Sequence, residues 1–132
     1  MANILLVEDN QDDVLLIKIA FESLNMEYSL VVASKGQDAL QLLEKIAKEK
    51  ISVDLILLDI NLPGVNGLEI LEEIREHPYT KKIPVVMFSS TDLESDMLKS
   101  HQLGADFFIR KPNNITDYKK VLTQLNGLLI RS

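Results

Sequence analysis

The chain has 132 residues, 46% apolar and 26% charged, with a net charge of −6 and no cysteine, which fits one soluble domain able to bury a single sizeable core. The acidic balance disfavours nucleic acid as a direct partner, since backbone phosphates need a basic face, and the lack of cysteine removes disulfide and thiol chemistry. No apolar run nears the ~18 residues of a membrane span, and "MANILLVEDN" lacks the features of a signal peptide, so a cytoplasmic protein without membrane contact is expected.

Short apolar runs alternate with helical patterns along the chain. Ile4 to Val7 reads as a strand buried on both faces, followed by Val14, Ile17, Phe21 and Leu24 at helical spacing. Ser29 to Ala33 is a second strand. Ser34 and Gln37 then have the spacing of a capping box, ahead of a stripe of Ala39, Leu40, Leu43, Ile46 and Ala47. Val53 to Leu58 is the third strand, and Asn66 can cap a helix carrying Ile70, Leu71 and Ile74. Pro84 introduces a fourth strand, Val85 to Phe88. Thr91 and Glu94 have cap spacing, Leu93 and Met97 form a short stripe, and Gly104 marks a stop. Phe107 to Ile109 is the fifth strand, and Tyr118, Val121, Leu122 and Leu125 mark the last helix. Buried strands without alternation, separated by helices, imply an α/β domain: a five-stranded parallel sheet with helices on both faces.

In a parallel sheet the carboxyl ends of all strands lie on one edge, where open sheets bind ligands. The first strand ends in Glu8 and Asp9, the third in Asp59, the fourth in Ser89 and Ser90, and Lys111 follows the fifth. Three neighbouring carboxylates repel one another, and a hard divalent ion such as Mg²⁺ relieves the conflict with oxygen ligands. A lysine beside such a cluster suits phosphoryl transfer, because metal and ammonium together neutralise the moving oxygens. A carboxylate can itself be the nucleophile, and Asp59 lies centrally between the acidic pair and Lys111. Taken alone, Asp59 reads as a turn residue and Ser89 as a cap. Asp12 and Asp13 read as residues that favour a helix N-terminus. His77 and His101 read as surface residues, and Lys48, Lys50, Lys81 and Lys82 as solvated charges.

"ILLVEDN", "DLILLDINLPGVNG", "PVVMFSS" and "GADFFIRKP" together resemble the receiver domain of two-component response regulators. The long turn "REHPYTKKIP" resembles that of the small regulators paired with bacterial phytochrome kinases. The resemblance implies the flavodoxin-like receiver fold, strand order 2-1-3-4-5, and a single receiver domain over residues 1–132 with no separate output domain. It implies that Asp59 accepts phosphate from a sensor histidine kinase or a histidine phosphotransfer protein. Asp9 would bind Mg²⁺ directly, Glu8 through water, and Asn61 through its backbone carbonyl. Lys111 would pair with the phosphoryl group, Ser89 and Phe108 would be the switch hydroxyl and aromatic, and the Lys111–Pro112 bond would be cis. The implied protein is no enzyme beyond its own phosphorylation and dephosphorylation.

Two other classes use related topologies. A haloacid-dehalogenase-like phosphatase needs a second Asp two residues after the nucleophile, where this chain has Asn61. A flavodoxin-like electron carrier needs a hydroxyl- or glycine-rich loop after the first strand, where this chain has "EDNQDD". Phe107 and Phe108 point to opposite faces of the fifth strand. In the family it resembles, the position of Phe107 is usually small or polar and near the sheet edge, so the resemblance implies that Phe107 leaves apolar area on the surface of the fourth helix, fifth strand and fifth helix, a candidate face for homodimerisation or for docking to a target.

Overall fold

The computed structural model describes residues 1–25, 27–90 and 93–129. Strands and helices alternate throughout: β1 (Ala2–Val7), α1 (Gln11–Glu22), β2 (Tyr28–Ala33), α2 (Gly36–Glu49), β3 (Leu55–Asp59), α3 (Gly67–Glu76), β4 (Val85–Ser89), α4 (Glu94–Gln102), β5 (Phe107–Arg110) and α5 (Ile115–Leu129). The five strands pair in parallel, as the strand pattern predicts, and in the order β2-β1-β3-β4-β5 that the resemblance implies.

The absence of alternation in the strands has a direct cause, because each face of the sheet has its own core. Leu5, Val7, Ile56 and Leu58 pack with α2 and α3 through Leu43, Ile46, Ile70 and Ile74. Ile4, Leu6, Leu55 and Leu57 pack on the other face with α1 and α5 through Ile17, Phe21, Tyr118 and Leu122. Each such side chain contributes ~1.5–3 kcal/mol by leaving water. Among the described residues no helix is long and apolar enough to cross a membrane.

The helix ends differ in part from expectation. Asn66 caps α3, accepting from Leu68 N at 2.7 Å, and Gly104 terminates α4 with a positive φ of 94°. The Ser34–Gln37 capping box does not form. Lys35 is the N-cap of α2 and makes no side-chain cap bond. Gly36, the first residue of α2, approaches Val65 so closely that a Cβ there would lie 2.7 Å from Val65 Cβ. The first helix ends at Glu22, short of Leu24. The Thr91 cap lies outside the described residues, and Leu93, the N-cap of α4, makes no side-chain cap bond. Leu93 and Met97 do not face the core: they are 57% and 43% exposed, and the inward face of α4 carries Ser100 instead.

Two aspartates tie the amino edge of the sheet. Asp54 Oδ2 accepts from Asn3 N at 2.7 Å, while Asp54 N donates to Asn3 O at 2.7 Å. Asp106 Oδ2 accepts from Val85 N at 2.8 Å and from the Arg75 guanidinium at 3.1 Å. Arg75 also donates to Gly104 O, Lys81 O and Ile83 O, so one side chain joins α3, β4 and the start of β5.

Candidate functional site

The opposite, carboxyl edge collects charge. Glu8 follows β1 and is anchored by its own N–H on Ala33 O. Asp59 is the last residue of β3, paired in register with Phe88, and Ser89 ends β4 opposite Arg110. Lys111 follows β5 and its N–H donates to Ser89 O at 2.7 Å. Glu8, Asp59 and Ser89 are buried, while Asp9 and Asn61 are exposed. An open cleft of about 560 Å³ is lined by Asp9, Asp13, Asp59, Asn61, Ser90 and Lys111, among others.

Two carboxylates that are 2% and 3% exposed cost several kcal/mol if ionised without partners. Lys111 Nζ compensates both. It lies 3.0 Å from Glu8 Oε1, 3.2 Å from Asp59 Oδ2 and 3.4 Å from Asp13 Oδ2. Asn10 N donates to Glu8 Oε2, and Asn61 N to Asp59 Oδ1, both at 3.1 Å. Compensation is incomplete at Glu8: burial first, then the charge of Asp59, push its pKa up from 4.5 to about 7 against the pull of Lys111. Burial works to lower the Lys111 pKa, but the hydrogen bond and charge of Glu8, then the charges of Asp59 and Asp13, outweigh it and raise the value.

Glu8, Asp9 and Asp59 each bring a carboxylate oxygen to within 4.8 Å of the others. Such an all-oxygen donor set suits a hard divalent cation, which would also neutralise the Asp59 charge that, after burial, raises the Glu8 pKa. The expected residues Glu8, Asp9, Asp59, Ser89 and Lys111 thus share one rim. Asn61 is there too, with its N–H turned to Asp59. Phe108 is half-buried against the core on the α2–α3 face, whereas Phe107 is 39% exposed. The Lys111–Pro112 bond is trans, since no cis peptide occurs among the described residues. Trans is the lower-energy isomer for an X–Pro bond by about 0.5–1 kcal/mol, and it already lets Lys111 reach the three carboxylates.

Three residues of the site escape the sequence reading. Asp13 is not simply a helix-end charge. Its Oδ2 faces Lys111 and its Oδ1 accepts from the Tyr118 hydroxyl at 2.9 Å. Tyr118 is fully buried in the packing of α1 against α5, and burial and then Asp13 raise its pKa. No local motif signals that pair, which depends on two helices meeting. Gly67 is the third. Its N–H donates to Ile60 O at 2.8 Å, and a Cβ there would collide with Asp59 O. Asn66 marks a helix start in the sequence, but nothing there marks this close approach of Gly67.

Known proteins resemble this chain in sequence and fold. Residues 4–123 match the response regulator receiver domain model. The chain is 33% identical over 131 residues to the response regulator Rcp1 of Synechocystis sp. (strain ATCC 27184 / PCC 6803 / Kazusa), covering 98% of this chain and 89% of that one. The crystal structure of the Mn(2+)-bound form of Rcp1 matches with a TM-score of 0.86 at 30% identity, over 100% of this chain and 97% of that one. The phosphorylated cyanobacterial phytochrome response regulator RcpA matches with a TM-score of 0.88 at 33% identity, over 98% and 94%. The transcriptional regulatory protein CpxR of Escherichia coli (strain K12) is 35% identical over 133 residues, and this chain spans 51% of its length.

Proposed function

The chain belongs to the response regulator receiver domain family, the phosphorylated modules of two-component signalling, and from that premise we propose that Asp59 is its phosphoryl acceptor. One observation carries the assignment. Asp59 is a buried carboxylate at the carboxyl end of the central strand, with Lys111 Nζ at 3.2 Å and the oxygens of Glu8 and Asp9 beside it. Receiver domains work with histidine kinases or histidine phosphotransfer proteins, and they are not a catalytic enzyme family. The phosphatase alternative has no support, because Asn61 cannot serve as the acid/base that such an enzyme needs.

In the transfer, an Asp59 carboxylate oxygen forms a bond to phosphorus while the P–N bond of the donor phosphohistidine breaks. The electron pair of that bond returns to the imidazole. The Asn61 N–H holds the carboxylate in orientation. Lys111 offers positive charge to the phosphoryl oxygens without moving far. Glu8, Asp9, Asp59 and the backbone carbonyl of Asn61 would hold a divalent ion, which we read as Mg²⁺; when bound it supplies further positive charge to the same oxygens. Ser89, buried at the end of β4, is the switch hydroxyl, and the half-buried Phe108 is the switch aromatic. Phosphorylation biases the two states of that pair through its differential contacts with them. The output surface is the α4–β5–α5 face, where Leu93, Met97, Leu98 and Phe107 are exposed.

Acetyl phosphate with Mg²⁺ should add one phosphate per chain, labile to hydroxylamine, and mass spectrometry should find none on Asp59→Asn. Full labelling of that variant would place the acceptor elsewhere.

A further inference from the structure

Lys111 has three ammonium protons and three carboxylate neighbours, Glu8, Asp59 and Asp13. Two of these neighbours are already committed: in the reading above, Asp59 takes the phosphoryl group and Glu8 faces the cation. Asp13 has neither task. It projects from the first turn of α1, and its second oxygen is held by the hydroxyl of Tyr118 at 2.9 Å. Tyr118 comes from α5, on the same face of the sheet, and is 0% exposed. It also packs against Phe88, the neighbour of Asp59 in the β3–β4 register, with ring centroids 6.4 Å apart. A hydroxyl on a buried, packed ring restrains the rotamer of Asp13, and Asp13 in turn offers Lys111 an anchor outside the reacting groups.

We infer that Asp13, held by Tyr118, is a positioning residue that keeps the Lys111 ammonium aimed at the phosphoryl group once Glu8 and Asp59 are engaged. The inference rests on the assignment of Asp59 as acceptor. Asp13 does not compete for the ammonium, because the number of protons equals the number of carboxylates. At 3.4 Å it is the longest of the three contacts, which suits an anchor that steers the group without withdrawing it from Asp59 at 3.2 Å. Without Asp13 the third proton turns to water, and the lysine gains freedom that the transition state must remove again. The consequence is a slower chemical step rather than weaker cation binding.

The test is a double-mutant cycle on the whole chain with Asp13→Asn, Tyr118→Phe and both together. Phosphorylation by acetyl phosphate is followed at saturating Mg²⁺, with the half-saturating Mg²⁺ concentration measured separately. Each single variant should still take one phosphate on Asp59. The maximal rate should fall about tenfold in Asp13→Asn, the size of one hydrogen bond to a charged group, and less in Tyr118→Phe. The half-saturating Mg²⁺ should move by under about threefold, short of that tenfold effect. The double variant should be no slower than Asp13→Asn, because Tyr118 acts through Asp13. Three outcomes overturn the inference: an unchanged or faster rate in Asp13→Asn, a loss accounted for by weaker Mg²⁺ binding, or multiplied effects in the double variant. Circular-dichroism melts separate a folding defect, and Tyr118→Phe carries the test if Asp13→Asn does not fold. Wild type that takes no phosphate on Asp59 overturns the acceptor assignment instead, so the two failures are distinct.

Discussion

Glu8 is buried beside a second buried acid, and its proton is the group most exposed to that conflict. In the unfolded chain it titrates near 4.5, and in the folded protein near 7, raised by burial first and by Asp59 second. The folded state therefore binds the proton more tightly. The stability this contributes is fully present below about 4.5 and is lost as pH rises through about 7. Without divalent cations, wild type should lose on the order of 1–3 kcal/mol relative to Glu8→Gln between pH 4.5 and 8. Thermal melts of both proteins across that range measure the difference. Added Mg²⁺ should remove most of it in wild type, because the cation replaces the proton as counter-charge. Parallel pH curves for the two proteins would show that Glu8 stays ionised in the apo fold.

At the scale of elements, α3 is seated on Asp59 through Gly67. A side chain there meets the Asp59 carbonyl oxygen and lies 2.7 Å from Ile60 Cα, so relief needs backbone movement at Asp59 itself. Gly67→Ala should cost more than about 2 kcal/mol in urea denaturation and should slow phosphorylation, although no charged group has changed. A stability within about 0.5 kcal/mol of wild type would mean that α3 can shift away at little cost. The same contact shows what a sequence conveys. The central strands were legible because burial on both faces leaves unbroken apolar runs such as Leu55 to Leu58. The rim was legible because parallel strands bring every carboxyl end to one edge, which places Glu8, Asp59 and Lys111 together. Asn66 was legible because its cap bond is local. Ser34 misled because α2 starts one residue later, with Lys35 as its N-cap and no side-chain cap bond. Leu93 and Met97 misled because their spacing is helical although their face is outward. The Asp13–Tyr118 pair left no trace, since it exists only where α1 and α5 cross.

For the molecule as a whole, the two sides of β5 differ. Phe108 lies against one core, while Phe107 and, on α4, Leu93, Met97 and Leu98 remain in solvent. Strand β5 is also an edge of the sheet, with backbone groups that a partner can use. We expect this face to mediate self-association strengthened by phosphorylation. Light scattering with and without beryllofluoride should show a larger species for wild type and less of it for Phe107→Asp. Equal masses for a folded, phosphorylatable Phe107→Asp would place the interface elsewhere. The aspartate ties at the far edge bear on how any such response can travel. Strand β3 is moored at its start by the reciprocal Asp54–Asn3 bonds and wedged at its end by Gly67. These contacts resist a shift of the strand in response to the phosphoryl group proposed for Asp59. The central strand is therefore mechanical ground, and on the proposed switch assignment we expect the displacement to fall to side chains such as Ser89 and Phe108 and to α4, whose one buried residue is Ser100.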